Sequence, residues 1–111
     1  MKYECIIAIL PRGEADRVME DAKKAGAQGG TIFLARGTGA HEAKTFFGLT
    51  LESSREILMI LTKDDQTDTI LDTIVNSAHL DRPGAGIAFV LDVNRLIGLQ
   101  HRKFIERSDK D

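Results

Sequence analysis

The stretch YECIIAILPRGEADRVMEDAKKAG, residues 3–26, determines how the rest of the chain can fold. Residues 3–10 are β-branched and apolar enough for a strand that is buried on both faces, and Pro11 ends that strand because proline has no N–H to donate to a ladder. Between residues 14 and 25, apolar side chains recur every three or four positions, which predicts an amphipathic helix. Gly26 is a suitable left-handed terminator for it. The chain therefore begins with a strand and a helix.

The same two patterns return further along the chain. They predict strands at 31–36, 56–62 and 87–93, and a second helix over 70–78 that Asp and Thr residues at 64–69 can cap. The order β-α-β-β-α-β is that of a ferredoxin-like α+β sandwich, an antiparallel four-stranded sheet with two helices on one face. Right-handed crossovers give the strand order 4-1-3-2. Strands two and four are the edges, and both can pair with another subunit.

Length and composition bound the class of protein. The 111 residues suit a single domain, which we expect to span 1–104 with a frayed tail at 105–111. The 15 Lys and Arg against 17 Asp and Glu give a net charge of −2, without the basic stripe that nucleic-acid binding requires. No apolar run is long enough to span a membrane and no signal precedes the first strand, so we expect a cytoplasmic protein without membrane insertion. Cys5 has no partner for a disulfide and is expected to be a buried, unreactive thiol.

The residue pattern gives little support for catalysis or for a metal site. The histidines, His41, His79 and His101, are scattered, without metal-ligand spacing or a neighbouring nucleophile. We expect them to be exposed polar residues. We therefore predict that the protein is not an enzyme. We expect it to have no catalytic residue, no bound metal and no required cofactor.

Glycine is concentrated around the second and last predicted strands. Three glycines precede the strand at 31–36 and two follow it, and a GxG, Gly84-Ala85-Gly86, precedes the strand at 87–93. Such clusters indicate a backbone reason, either a positive φ or a closely approaching ligand, although a lone GxG usually marks only a turn. Because the flanked strands lie on opposite edges of the sheet, a neighbouring subunit would be needed to bring the two clusters together.

The segment 38–54 is long for a hairpin in a compact domain, and long loops are usually functional or disordered. If the pair Phe46-Phe47 stayed in this loop, it would expose an apolar patch and so form a partner-binding surface. The alternative is that one phenylalanine packs beneath the loop as a local core. The sequence leaves both possibilities open.

The glycine motifs are similar to those of a known family. GAQGGT at 26–31 followed by RGTG at 36–39 resembles the GxxGxT and RGxG of the PII signal-transduction (nitrogen regulatory protein P-II) family, in which the long T-loop begins at RGxG. Gly84-Ala85-Gly86 and its following strand are similar to the B-loop of that family. The resemblance spans residues 1 to about 93. It implies a divergent PII-like homotrimer with an adenine nucleotide, ADP, AMP or ATP, in clefts between subunits.

Site residues follow from the resemblance by position. Gly29, Gly30 and Thr31 would line the adenine pocket; Gly37, Thr38 and Gly39 would form the base of a T-loop-like segment at 37–55; Gly84, Ala85 and Gly86 would cradle phosphate. The phosphate-binding lysine of the family is replaced here by Ile87. Arg82, His101, Arg102 and Lys103 are therefore the candidates to supply the missing positive charge.

The resemblance also implies a role in signalling. The segment 38–54 would dock on a membrane transporter or an enzyme, as in nitrogen regulation. It contains no tyrosine, which excludes uridylylation there, and Ala40-His41 replace the family's glutamine, which argues against sensing of 2-oxoglutarate with Mg-ATP. The alternative function is a CutA-like trimeric structural or metal-tolerance protein that binds no nucleotide.

Overall fold

A computed structural model of the protein describes residues 2–36, 45–46, 49–50 and 54–98. Its strands are β1 (Tyr3–Pro11), β2 (Thr31–Arg36), β3 (Thr45–Phe46), β4 (Leu49–Thr50), β5 (Ser54–Lys63) and β6 (Ile87–Val93), and its helices are α1 (Ala15–Lys24) and α2 (Thr67–Ala78). Four strands form an antiparallel sheet in the order β2-β5-β1-β6. Since β5 and β6 are the third and fourth strands of the predicted sheet, the ferredoxin-like order is confirmed.

Both helices pack on one face of this sheet and form the core with it. The central strands β1 and β5 alternate between buried and partly exposed residues, as expected when only one face is covered. Burying a Leu or Ile side chain contributes roughly 1.5–3 kcal/mol, so this layer supplies most of the stabilisation. Its fully or almost fully buried side chains include Ile6, Leu10, Val18, Leu58, Ile60, Ile70 and Ile74.

The opposite face of the sheet is not covered by any described element. Directly opposite residues in an antiparallel pair share a face. Leu61 and Leu91 both lie opposite Cys5, and Phe89 lies opposite Ile7, so all three point away from the helices. Their exposure in the single chain is 43%, 48% and 39%, respectively. The expectation that the first strand is buried on both faces is therefore wrong for the isolated chain.

The segment predicted as an irregular loop contains a short hairpin. β3 and β4 pair antiparallel, with Thr45 opposite Thr50 and Phe46 opposite Leu49. Two-residue strands are too short to give a recognisable alternation of apolar and polar residues, which explains why the sequence did not reveal them. The backbone of Phe46 thus belongs to a strand, and Phe47 lies outside the described residues.

The start of α2 also differs from the prediction. Gln66 is the N-cap residue, and its side chain makes no capping hydrogen bond. Thr67 is instead buried in the core. Its Oγ1 lies 2.6 Å from Thr62 Oγ1 and donates to the Lys63 carbonyl oxygen at 3.2 Å. The capping role expected of the Asp and Thr residues at 64–69 is therefore not observed.

Candidate functional site

A groove of about 510 Å³ opens beside the start of β2. This volume lies in the range of roughly 300–1,000 Å³ that is usual for small-ligand pockets. Three parts of the chain form its walls: the beginning of β1, the loop from α1 into β2, and the end of β5 with the turn into α2. The lining residues are Tyr3, Cys5, residues 26–31, Met59, Leu61, Lys63, Gln66 and Ile70.

The groove exists because β2 is shorter than its neighbour. Thr31, the first residue of β2, lies opposite Met59, whereas β5 continues to Lys63. The last four residues of β5 therefore extend past the start of β2. The loop of residues 26–30 approaches this part of β5, and the space between them is the groove.

The end of α1 fixes the direction of this loop. Gly26 has a φ of +119°, and its N–H donates to the Lys23 carbonyl oxygen at 3.0 Å. The Ala27 N–H donates to the Ala22 carbonyl oxygen at 3.0 Å, which completes a Schellman motif. Ala27 is also buried in the core. The predicted terminator role of Gly26 is therefore confirmed, and the loop leaves the helix in a defined direction.

The two glycines before β2 have different structural reasons. A Cβ on Gly30 would lie 2.8 Å from the Met59 carbonyl oxygen and 3.0 Å from Met19 Sδ, so the chain's own packing requires glycine there. A Cβ on Gly29 would meet no atom within 4 Å, and Gly29 does not have a left-handed φ. Gly29 is thus not required by this chain alone, and it lines the groove.

The groove is mostly neutral. Of the described residues that line it, Lys63 alone carries a formal charge, while Tyr3, Gln28, Thr31 and Gln66 supply hydroxyl and amide groups. Leu61 and Ile70 are among its apolar lining residues. Such a surface suits a planar, weakly charged ring system with a few hydrogen-bonding groups at its edge.

Cys5 is a free thiol at the edge of this groove. Partial burial raises the pKa of the thiol, because desolvation disfavours the thiolate. The expected full burial is not observed, since Cys5 lies on the uncovered face of β1 and is only half-buried. The raised pKa nevertheless agrees with the predicted low reactivity.

The second glycine cluster forms the turn between α2 and β6. His79 ends α2 in a left-handed conformation, the Arg82 N–H donates to its carbonyl oxygen at 3.0 Å, and the Ala85 N–H donates to the Arg82 carbonyl oxygen at 3.2 Å. Gly84 has a φ of +77°, typical of a turn. The Arg82 side chain is exposed and makes no ion pair with any described residue.

Gly86 is required by the fold itself. Its φ is +129°, and a Cβ there would overlap the Ile9 carbonyl oxygen and lie 3.3 Å from Leu10 Cδ2. The main chain at Gly86 therefore lies directly against the end of β1. Of the two reasons considered from the sequence, a positive φ holds here, and the close approach is made by a strand of the same chain and not by a ligand.

The two clusters do not meet within one chain. β2 and β6 are the outer strands of the four-stranded sheet, so they lie about 14 Å apart, which is three strand spacings. Across the sheet, Thr31 lies opposite Met59, Met59 opposite Ile7, and Ile7 opposite Phe89. The first residue of β2 is therefore level with Phe89, three residues beyond Gly86. The two clusters are therefore separated within one chain, and the joining of both by a second copy of the chain stays a prediction.

Other predicted site residues cannot be placed. Gly37, Thr38, Gly39 and Phe47 lie outside the described residues, as do His101, Arg102 and Lys103.

Conversely, Tyr3, Leu61, Lys63 and Gln66 line the groove although no motif pointed to them. The pairing register of β1, β2 and β5 brings the strand residues together, and one sequence does not specify that register in advance.

The described part of the chain has neither a metal-binding cluster nor a helix that could span a membrane. It contains no group of three or more His, Cys, Asp or Glu side chains that could hold a metal ion. Neither of its helices combines the length and apolarity needed to cross a bilayer.

The order of the four strands and the two helices on one face of the sheet define a ferredoxin-like α+β domain. The model of the family Nitrogen regulatory protein P-II matches residues 3–103. The chain therefore belongs to the nitrogen regulatory protein P-II family, whose members are regulatory proteins. These findings give no support to the CutA-like alternative.

Individual relatives agree with this assignment. The chain is 31% identical over 100 residues to Nitrogen regulatory protein P-II 1 of Escherichia coli (strain K12), with 86% of this chain and 89% of the relative covered. The Nitrogen regulatory protein P-II of Klebsiella oxytoca matches to the same extent. The crystal structure of Arabidopsis thaliana PII bound to citrate has a TM-score of 0.70 and 26% identity, covering 89% of this chain and 84% of that one.

Proposed function

We propose that this protein is a PII-like sensor, not an enzyme, that binds an adenine nucleotide in the groove beside β2. The observation that carries the proposal is that Gly29, Gly30 and Thr31 line one groove together with apolar side chains. Met59 and Leu61 offer apolar contacts for a purine ring, and the Thr31 hydroxyl can donate to or accept from its edge. Open space around Gly29 leaves room for the ligand.

The nucleotide's phosphate would be bound by a neighbouring copy of the chain. The turn containing Arg82, Gly84, Ala85 and Gly86 precedes β6, on the opposite edge of the sheet from β2, so we assign it to the site of a neighbouring copy. A homotrimer would supply that neighbour. The uncovered sheet face, with exposed Phe89 and other apolar side chains, supports association, because large exposed apolar patches mark interaction surfaces.

The charges available favour ADP or AMP over ATP. Lys63 and Arg82 are the cationic side chains that the groove and the turn contribute from described residues, and Ile87 follows the turn where the family has lysine. A charge-assisted hydrogen bond is worth about 1.5–3 kcal/mol, so each missing cation weakens binding of the more highly charged ligand. No cofactor or metal is required by this proposal.

The nucleotide would control a partner through the segment 38–54, including Phe46 and Phe47. We propose a membrane transporter or an enzyme as the partner, and the cytoplasm as the compartment, on the basis of family membership. A ligand shifts the equilibrium between two conformations of this segment only if it binds one conformation more tightly than the other. An effective switch therefore needs a difference of a few kcal/mol between the two binding free energies.

Calorimetric titration with ATP, ADP and AMP tests the proposal. We expect binding of ADP or AMP, and a roughly fivefold loss in Thr31→Val, equivalent to about 1 kcal/mol for one hydrogen bond. Thr69→Val, on the exposed surface of α2 and outside the groove, is the matched control and should bind as the wild type does. No heat with any nucleotide would contradict the proposal, and binding of divalent copper instead would favour the CutA-like alternative.

Light scattering after size-exclusion chromatography tests the trimer. Phe89→Glu places a charge on the uncovered face and should reduce the mass from that of a trimer towards that of a monomer. A wild-type protein that is monomeric at micromolar concentration would contradict the proposed assembly.

A further inference from the structure

Two carboxamide side chains line the groove without a partner in the described chain. Gln28 belongs to the loop before β2 and Gln66 to the turn between β5 and α2. Both are exposed, and neither side chain hydrogen-bonds to a described residue. Each carboxamide has one acceptor oxygen and an NH₂ group with two donors. The groove thus has two polar groups that the fold itself does not use.

Gln66 is the more firmly positioned of the two. Its N–H donates to the Lys63 carbonyl oxygen at 2.8 Å, and its carbonyl oxygen accepts the Ile70 N–H at 3.1 Å. These bonds fix the main chain at the start of α2, while the side chain makes no capping bond. Gln28, in contrast, precedes two consecutive glycines and is less constrained by its neighbours. A fixed main chain limits the positions that its side chain can reach, which favours Gln66 over Gln28 as the determinant of specificity.

Apolar groups in the same groove as Gln66 define what its side chain can recognise. Met59 and Leu61 lie on the same face of β5 and line the groove, so a flat ring placed against them can present its edge to the carboxamide. Adenine offers the N6 amino donor beside the N7 acceptor, which a glutamine can pair with through two hydrogen bonds. Guanine offers two acceptors at that edge, O6 and N7, and leaves the glutamine oxygen unpaired.

We propose that Gln66 determines base specificity in this groove by pairing with the amino edge of a 6-aminopurine. The inference rests on the proposed nucleotide binding and extends the site to the β5–α2 turn, beyond the residues that the glycine motifs indicate. Gln28 can adjust to the ligand and contributes affinity without selecting the base.

Equilibrium binding of AMP and GMP to the full chain tests this inference. We expect the wild type to prefer AMP, and Gln66→Leu to lower the AMP-to-GMP affinity ratio by roughly tenfold, within the range for a bidentate pair. Gln28→Leu is the matched control and should retain the ratio. Because the Gln66 side chain makes no capping bond, Gln66→Leu should keep the wild-type circular dichroism spectrum.

A second variant keeps the test informative if Gln66→Leu folds poorly. Gln66→Ala removes both the donor and the acceptor of the carboxamide without adding a large apolar side chain, so it should also lower the ratio. If the wild type bound neither nucleotide, the proposed function and this inference would both fail. If the wild type bound AMP and both Gln66 variants kept its selectivity, or if Gln28→Leu alone abolished the selectivity, only this inference would be overturned.

Discussion

Replacing Gly86 with alanine should destabilise the fold more than the same change at Gly84, in the same turn, or at Gly29, in the loop before β2. Gly86 has a φ of +129°, and the added Cβ would overlap the Ile9 carbonyl oxygen. Ile9 pairs with Ile87 at the start of the β1–β6 ladder. The new methyl group therefore has to separate the two strands or change the backbone conformation.

The magnitude follows from two terms. A non-glycine residue in such a conformation costs about 1–3 kcal/mol, and forcing an extra carbon into a packed site costs about 1–3 kcal/mol more. We expect Gly86→Ala to lose about 2–6 kcal/mol, a large part of the roughly 5–15 kcal/mol of a typical domain. Gly84 has a φ of +77°, but an added Cβ would meet no atom within 4 Å. Gly84→Ala should therefore lower the free energy of unfolding by only about 1–2 kcal/mol. Gly29→Ala, with neither constraint, should be neutral or stabilising by about 0.5 kcal/mol.

Urea unfolding followed by far-UV circular dichroism measures these differences. All variants are compared at one protein concentration, because association would otherwise change the apparent stability. A Gly86→Ala variant that lost no more free energy of unfolding than Gly84→Ala would refute the close approach to Ile9. The same clash makes Gly86 unsuitable as a probe of ligand binding, since loss of binding there could reflect loss of structure.

Three further changes test the packing and the groove. Glu56→Ala removes the carboxylate oxygen that accepts the Ala15 N–H at 2.8 Å and should lower the free energy of unfolding by about 0.5–2 kcal/mol, measured by thermal unfolding. Glu56→Gln keeps an acceptor and should lower it less. Equal losses in both variants would contradict the stabilising role of this hydrogen bond. Thr62→Val removes the hydroxyl 2.6 Å from Thr67 Oγ1 and should cost about 1–2 kcal/mol in urea unfolding, whereas no loss would show that this buried contact does not stabilise the fold. Burial raises the pKa of the Cys5 thiol, so less thiolate is present at a given pH. The rate of its reaction with an aromatic disulfide should therefore rise at a higher pH than the rate for free cysteine. A rise at the same or a lower pH would contradict the desolvation.

The order of elements could be predicted because local patterns agree with the final fold. The β-branched, apolar run in β1, the three-and-four spacing in α1 and the terminator Gly26 all specify the elements that form. The β3–β4 hairpin could not be predicted, because each strand has two residues and neither shows a period. Thr67 was misjudged because a Thr near a helix start favours a cap, whereas here its hydroxyl is buried against Thr62.

The site was only partly predictable for a similar reason. Motifs pointed to Gly29, Gly30 and Thr31, which do line one groove. Leu61 and Gln66 join them because β5 extends past the start of β2, and that offset depends on strand register rather than on any local signal. A glycine motif also cannot distinguish a residue required by the chain's own packing from one that leaves space for a ligand, and the structure is needed to separate the two.

Gly29→Leu provides the most direct test of adenine nucleotide binding in the groove. The added side chain meets no atom of the chain within 4 Å of its Cβ and enters no left-handed backbone position, so the fold should be retained while the groove is filled. Asn76→Leu, on the exposed surface of α2 away from the groove, is the control. In calorimetric titrations with ADP, the wild type and Asn76→Leu should bind and the folded Gly29→Leu variant should not. Undiminished ADP affinity in Gly29→Leu would contradict binding in this groove.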